Sequence, residues 1–287
     1  SIETLIDGNL KSAAYCTRAV LPIMRDITGL VAWVTGGGTG IGEGAAAALA
    51  KAGAIVVITG RREAPLQEVA ARITADGGKV NVKPADLTDW TTVEATAETL
   101  RREHGRIDIL FNNAGVNIPD RNWAVLSPES IETLIDGNLK SAAYCTRAVL
   151  PIMREQGDGQ LIHTASWAGR FIGPTSGPIY TAAKHGVVAM SHTINLEECE
   201  NGIRSTVISP GEVATPLMAK RNPPEPPEVM ARMVQPEDMG NVVVFLARQP
   251  PHVCINEMVV APTYNRGYIA QMKGRKAQQD AVRKARA

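Results

Sequence analysis

The chain has 287 residues, 44% of them apolar and 21% charged, an ordinary globular composition with ample material for a core, which excludes disorder of the whole chain. A formal net charge of +1 supplies no field that would steer the protein to nucleic acid or to an anionic membrane, so the expected partner is a small molecule. α/β folds of this length are routinely one domain, and a single catalytic domain is expected over residues 26–264, between a segment 1–25 and a basic tail 265–287. Cys16, Cys145, Cys199 and Cys254 lack the close pairing of metal sites or redox motifs and read as buried thiols in a reducing compartment. Apolar stretches such as Ala45 to Ala50 end long before a bilayer is spanned. Glu3, Asp7 and Lys11 interrupt the start, which does not resemble a secretion signal, and a cytoplasmic protein is expected.

In chain order, the first feature is a repeat: Ser1 to Arg25 recurs letter for letter at Ser130 to Arg154. Two copies so far apart cannot stack as neighbouring solenoid repeats do. The second copy follows a strand pattern and the first does not, so the first is expected to lie outside the core. From Asp26 onward, β-rich runs alternate with helical patterns. The runs are Leu30 to Thr35, Ala54 to Thr59, Val80 to Ala85, Ile107 to Asn112, Gln160 to Ala165, Arg204 to Ile208 and Val253 to Val260. Leu66, Val69, Ala70 and Ile73 fall at helical spacing after the second run, as do Val93, Ala97 and Leu100 after the third. This alternation predicts a parallel sheet of seven strands with helices on both faces, and the near-continuous apolar character of most runs fits strands covered on both sides. The tail from Asn265 holds seven basic residues against Asp280 alone, a net +6, and reads as a solvated helix or frayed end.

The first strand runs into Thr35-Gly-Gly-Gly-Thr-Gly-Ile-Gly42 and then an Ala-rich helical pattern. A glycine-rich turn is common, but directly after the first strand of an alternating pattern it meets the demand of a dinucleotide site: glycines let the backbone approach a pyrophosphate, and the helix start offers free N–H groups. Thr35, Gly36, Gly38, Thr39, Gly40, Ile41 and Gly42 are therefore candidate cofactor contacts. The second strand ends Thr59-Gly60-Arg61-Arg62. NAD binders usually place a carboxylate there for the ribose 2′-hydroxyl, whereas a guanidinium can pair with the 2′-phosphate of NADP. Gly60 stands where the acid would be, so Arg61 is expected to favour NADP, with NAD as the alternative, while Arg62 reads as a solvated helix-start residue. Farther on, Tyr180 and Lys184 sit at i and i+4 on one helix face. A cation about 4 Å from the phenol is worth roughly 4 kcal/mol at an effective dielectric of about 20, about three pKa units. Tyr180 is thus expected near neutrality as a general acid/base.

Together, Thr35 to Gly42, Asp86-Leu87, Asn112-Asn-Ala-Gly115, Asn138, Ser166, Tyr180 with Lys184, and Pro210-Gly211 resemble the short-chain dehydrogenase/reductase family. The resemblance covers Ile27 to about Thr263. It implies a Rossmann-like, doubly wound parallel sheet in order 3-2-1-4-5-6-7, NAD(P)-dependent hydride transfer to or from a carbonyl or alcohol, and a homodimer or homotetramer. It also implies Asp86 and Leu87 near the adenine, Asn113, Ala114 and Gly115 along the adenosine ribose, and Pro210, Gly211, Val213 and Thr215 at the nicotinamide end. The family's catalytic tetrad falls on Asn138, Ser166, Tyr180 and Lys184. In those roles Ser166 orients the substrate oxygen, Tyr180 exchanges the proton, Lys184 lowers the tyrosine pKa and binds the nicotinamide ribose, and Asn138 holds a water that links Lys184 to solvent.

Two departures stand out. The gap from Ser166 to Tyr180 is 14 residues, one more than the family's commonest spacing, which enlarges the loop Arg170 to Ile179. The last strand lacks the family's usual glycines and reads Pro251 to Thr263 without them. His104, His163, His185, His192 and His252 show no metal-ligand spacing, and no metal is implied. Substrate-side candidates are Asn117 to Val125, Trp167 to Ile179 and Pro216 to Pro227, where Trp123, Trp167, Phe171, Leu217 and Met218 suggest an apolar pocket and Arg121 or Arg170 a partner for a substrate carboxylate. A cofactor-binding regulatory protein is the rival from another class, but binding alone gives no reason to keep Ser166 and Tyr180 beside Lys184. An isomerase or dehydratase with transient hydride transfer is the nearer rival.

Overall fold

The computed structural model describes residues 24–219 and 224–286, with the side chains of 219 and 284–286 excepted. Seven strands form one parallel sheet in the order β3-β2-β1-β4-β5-β6-β7. They are β1 (Val31–Thr35), β2 (Ile55–Thr59), β3 (Lys79–Val82), β4 (Ile109–Asn112), β5 (Gly159–Thr164), β6 (Ile203–Pro210) and β7 (Glu257–Val260). The helices are α1 (Gly40–Lys51), α2 (Glu63–Ala75), α3 (Trp90–His104), α4 (Pro128–Ile135), α5 (Ser141–Gln156), α6 (Pro178–Glu198), α7 (Pro216–Ala219), α8 (Pro227–Met230), α9 (Pro236–Ala247) and α10 (Arg266–Arg286). None of these helices is long and apolar enough to cross a membrane.

The apolar runs form strands because both faces are covered. Ala32, Val34, Val56, Ile58, Ile109 and Phe111 meet Ala45, Ala46 and Leu49 of α1 and Met239, Val243 and Leu246 of α9. Their neighbours Trp33, Val57, Leu110 and Leu161 point to the other face, against Val93, Ala97 and Leu100 of α3, Cys145 and Val149 of α5 and Ile194 of α6. Each fully buried Leu, Ile or Val contributes about 1.5–3 kcal/mol. Trp33 is fully buried and its indole N–H donates to Thr59 Oγ1 at 2.8 Å, so its one polar atom is satisfied.

Several boundaries differ from expectation. β3 ends at Val82, not Ala85, although Lys83 and Ala85 still donate to the Ile58 and Gly60 carbonyls. β7 begins at Glu257, not Val253: the chain leaves the turn at Pro250 and Pro251, and β6 first meets it through the Val207 N–H to the Asn256 carbonyl. β6 is longer than expected, Ile203–Pro210. The cysteines were expected to be buried, yet Cys199 and Cys254 are exposed and only Cys145 of the described three is buried. Cys199 starts the solvent-side turn after α6 and Cys254 lies in the loop before β7. The first copy of the repeat lies outside the described residues up to position 23. Its last residue, Arg25, is anchored: its N–H donates to Arg248 O at 2.7 Å and its guanidinium meets Asp158 at 2.6 Å.

Strand order reverses between β1 and β4. In open α/β sheets the crevice beyond the strand ends at such a reversal is where ligands bind, and the loops after β1, β4 and β5 converge there.

Candidate active site

The turn from β1 to α1 is tied to the end of β4. Thr35 Oγ1 donates to Phe111 O at 3.2 Å and accepts the N–H groups of Asn113 at 2.9 Å and Ala114 at 3.0 Å. Asn113 Nδ2 donates to Thr35 O at 3.2 Å, and its Oδ1 accepts from Thr164 Oγ1 at 3.2 Å. Thr35 and Asn113 thus spend their side chains on shaping the turn. Gly36 and Gly40 take the left-handed backbone, φ 66° and 60°, which disfavours other residues. A Cβ on Gly42 would lie 2.2 Å from Gly36 O, so the chain folds back on itself with no room for a side chain. Thr39 precedes α1 without a side-chain cap, which leaves the first N–H groups of the helix for an anion. This bare, glycine-floored helix start fits a dinucleotide pyrophosphate. Thr215 lies across the cradle, its Cγ2 2.9 Å from where a Gly40 Cβ would be, and Val213 pairs with Val234 ahead of α9. The adjacent Gly211 N–H donates to Val260 O at 2.7 Å.

At the end of β2, a Cβ on Gly60 would meet nothing nearer than Leu66 Cδ2 at 3.7 Å. Packing therefore does not demand glycine there. Arg61 is exposed. Asp86 accepts from Thr88 N at 3.0 Å and Thr88 Oγ1 at 2.8 Å; these bonds, and more weakly the charge of Arg61, hold its carboxyl below the usual range. Leu87 is buried in the core beneath α3, so only its backbone can face a ligand.

The other half of the site grows from α6 and a break in the preceding helix. Between α4 and α5 the chain makes a π-turn, Asp136–Lys140, a one-residue expansion that recurs at functional sites. It turns Asn138 inward, 1% exposed. Asn138 Nδ2 donates to Val116 O at 2.7 Å and Leu134 O at 2.8 Å, and its Oδ1 accepts from Val116 N at 3.2 Å. A Cβ on Gly115 would lie 2.9 Å from Asn138 Oδ1 and 3.4 Å from Lys184 Nζ, so these two side chains meet at Gly115, which must stay bare. Lys184 Nζ donates to Thr164 O at 2.9 Å and lies 5.7 Å from the centre of the Tyr180 ring. Ser166, just past β5, accepts the Ala168 N–H at 3.2 Å and hydrogen-bonds to Tyr180. Asn138 and Lys184 thus border Gly115, and Tyr180 and Ser166 lie next to Lys184 on the same side of the sheet's end.

The electrostatics correct the expectation for Tyr180. Its ring keeps some exposure, but burial of the phenol raises its pKa above 10, opposed by the Ser166 hydrogen bond and then by the charge of Arg121. Lys184 is not among the groups that shift the phenol, and burial brings its own pKa down to about 8. The expectation assumed a solvated lysine about 4 Å from the phenol; the buried ammonium instead donates to the Thr164 carbonyl and lies 5.7 Å from the centre of the ring. Beneath it, His163 is fully buried, its pKa lowered to about 3 by burial and by Lys184, and its Nδ1 lies 3.2 Å from Asn112 Nδ2. Two contributors escaped the sequence: the Thr164 carbonyl, which has no side-chain identity to read, and Arg121 acting on Tyr180. Arg121 Nη1 donates to Ile118 O at 3.1 Å. Arg170 is not available to a substrate in the way expected, since its Nε binds Glu257 at 2.7 Å. Trp167 stacks on Phe171 with centroids 4.4 Å apart, and Trp123, Phe171 and Leu217 remain exposed.

A nucleotide cradle at the strand-order reversal, beside a buried lysine, a tyrosine and a serine, defines a dinucleotide-dependent oxidoreductase site. The short chain dehydrogenase family matches residues 30–226. An uncharacterized oxidoreductase of Staphylococcus aureus (strain USA300) is 35% identical over 241 residues, 83% of this chain and 100% of the relative. The crystal structure of a metagenomic short-chain oxidoreductase in complex with NADP is 31% identical, with a TM-score of 0.73 over 84% of this chain and 100% of that one. Levodione reductase is 31% identical, with a TM-score of 0.75 over 82% of this chain and 97% of that one. The chain belongs to the short-chain dehydrogenase/reductase family and is an NAD(P)-dependent oxidoreductase of that type.

Proposed function

We propose that the protein interconverts a ketone or aldehyde and the corresponding alcohol with NADP(H) as hydride partner and Tyr180 as proton donor and acceptor. The observation that carries this reading is the gathering of Asn138 and Lys184 around Gly115, with the Tyr180 ring 5.7 Å from Lys184 Nζ and Ser166 beside Tyr180, next to the glycine cradle. The cofactor would rest on Gly36 to Gly42, with Arg61 at its 2′-phosphate, Asp86 and Leu87 by the adenine, Asn113 to Gly115 along the ribose, and Pro210, Gly211, Val213 and Thr215 at the nicotinamide. When bound, it supplies or accepts the hydride.

The chain's own residues handle the proton. Ser166 Oγ, already bonded to the phenol, holds the substrate oxygen against it. Burial keeps Tyr180 protonated at neutral pH, which is the acid form that carbonyl reduction needs: the phenol O–H breaks, a new O–H forms on the substrate oxygen, and the phenolate remains. Lys184, with its pKa near 8, can then return a proton, and Asn138 leads toward solvent. In alcohol oxidation the same proton moves backward, which first requires the phenolate. Assembly as a homodimer or homotetramer goes with this reading and is checked by sedimentation.

The test is a panel of ketones, aldehydes and secondary alcohols followed by NADPH fluorescence. Tyr180→Phe deletes the transferable proton alone. It should lower turnover about 10²- to 10⁴-fold while the NADPH dissociation constant stays within a few-fold. Turnover unchanged in that variant sinks the mechanism, and turnover without net cofactor oxidation or reduction points instead to an isomerase.

A further inference from the structure

The net charge of +1 conceals a separation. Residues 265–287 carry seven basic side chains against Asp280 alone, a net +6, while the first 264 residues carry 23 basic against 28 acidic, a net −5. The positive share lies on α10, which leaves the body almost at once: from Ala270 to Arg283 every residue is exposed. Arg266 is taken up by Glu212 and Glu225, but Lys273, Arg275, Lys276 and Arg283 form no ion pair among the described residues. Cations so placed add nothing to the fold. The same helix starts in an apolar patch. Tyr268 packs edge-on against Trp167 with centroids 5.5 Å apart, Trp167 stacks on Phe171, and the next residue along, Ile172, is 88% exposed. Met272 stands one turn after Tyr268 on the same side of α10 and is exposed as well. The loop that carries Trp123, 71% exposed, is joined to the Phe171 loop: Asn117 Nδ2 donates to Ser176 O at 3.4 Å, and a Cβ on Gly177 would lie 2.6 Å from Arg121 O. Exposed apolar side chains gathered in this way mark an interaction surface, whereas single ones do not.

We propose that this face docks on an anionic lipid membrane: Trp123, Phe171, Ile172, Tyr268 and Met272 enter the headgroup layer while the cations of α10 rest on the lipid phosphates. Tryptophan and tyrosine favour that layer. A helix lying on a membrane is held by its apolar area together with attraction to anionic lipid, and each cation near such a surface adds to the attraction. Hydrocarbon beside a layer of phosphates accepts both halves of this face at once, whereas a nucleic acid would leave Ile172 and Met272 in water. The acidic body is repelled by the same lipids, which orients the molecule with α10 toward the membrane. Trp167 directly follows Ser166, so the docked side is also the side of the candidate active site. The docking itself does not depend on the carbonyl–alcohol reading above.

The test needs no substrate. The full chain is floated with vesicles of phosphatidylcholine alone and of phosphatidylcholine with phosphatidylserine, at low and at high salt. It should bind the anionic vesicles, bind the neutral ones far more weakly, and lose the difference between them as salt rises. Lys273→Gln together with Lys276→Gln should lower the partition onto anionic vesicles about thirtyfold, and the NADPH dissociation constant of that variant should stay as in the wild type. Ile172→Ser should lower the partition about tenfold through lost apolar burial. Trp123 and Tyr268 emission should shift to shorter wavelength on binding. A wild-type chain that does not float with anionic vesicles overturns the proposal, as does equal binding to neutral ones. A paired lysine variant that floats like the wild type overturns it too, because α10 would then play no part. Salt-dependent binding to duplex DNA, or salt-dependent association of the chain with itself in sedimentation, each without vesicle binding, assigns the charged helix to another partner and overturns it as well.

Discussion

Lys184 carries the conflict between solvation and function most sharply, because it is 3% exposed and donates to a carbonyl without a carboxylate among the causes of its shift. Burial moves its pKa from 10.5 to about 8. Between those values the unfolded chain holds the proton and the folded chain has released it, so stability rises with pH across that window. Below it the penalty of the buried charge is fully present, about 3 kcal/mol at 1.36 kcal/mol per pKa unit. Urea unfolding of the cofactor-free chain should therefore show the native protein gaining about that much on Lys184→Met between pH 8 and 10.5, and parallel stability curves would remove this account of Lys184. At Gly60 and Arg61 the question is cofactor choice. Since a Cβ at Gly60 would meet Leu66 Cδ2 at an ordinary contact distance of 3.7 Å, the absent carboxylate is not a packing demand, and the adjacent cation is free to decide. Arg61→Ala should weaken NADPH about tenfold to a hundredfold and NADH hardly at all, while Gly60→Asp should turn the preference toward NADH. Fluorescence titration with both cofactors checks this, and equal losses for the two would reduce Arg61 to a surface residue.

The β1–α1 turn shows how an element is built around an absent side chain. In Gly42→Ala the new methyl would fall 2.2 Å from Gly36 O and 2.6 Å from Asn113 Nδ2, both held by the Thr35 hydrogen bonds, so the turn must open. The expected cost is about 1–3 kcal/mol of stability together with a loss of NADPH affinity above about tenfold, while Gly60→Ala should change neither. Thermal unfolding and NADPH titration read both, and a Gly42→Ala chain that binds NADPH normally would show that the cradle is elsewhere. This turn was legible in the sequence because glycines at fixed spacing between a strand and a helix have one geometric use. So were the seven strands and their order, the latter through the family resemblance. The π-turn at Asn138 was not, since one extra residue in a helix leaves the i, i+3, i+4 pattern on either side intact. Nor was the sign of the Tyr180 shift: Tyr180 and Lys184 share a face in any helix, but whether charge attraction or burial wins depends on what covers them. The pairing of Arg266 with Glu212 and Glu225 lay beyond reach because it spans 54 and 41 residues of chain.

The sequence holds two identical segments, of which the structure describes the second in full and the first only from position 24. The copy at Ser130 to Arg154 is seated: Leu134, Ala142 and Val149 are buried and Asn138 meets Lys184 at Gly115. Leu5, Ala13 and Val20 carry the same stripe, yet the chain that follows them must enter β1, whereas the chain leaving the seated copy enters β5 at its side of β4. Even the shared last residue is used differently, with Arg154 bonding to Glu198 inside the fold and Arg25 bonding to Asp158 at its edge. Asn9, the counterpart of Asn138, lies outside the described residues, and we propose that it is catalytically idle. A chain shortened to begin at Met24, which keeps the Arg25 anchor, should fold, bind NADPH and turn over within about twofold of the full chain. Asn9→Ala should be silent, while Asn138→Ala should lower kcat and unsettle the Val116 turn that its amide holds. Unfolding of the shortened chain, or a loss of NADPH binding, would mean that the first copy is a structural part of the molecule, and an effect of Asn9→Ala on kcat equal to that of Asn138→Ala would mean that the two copies exchange places.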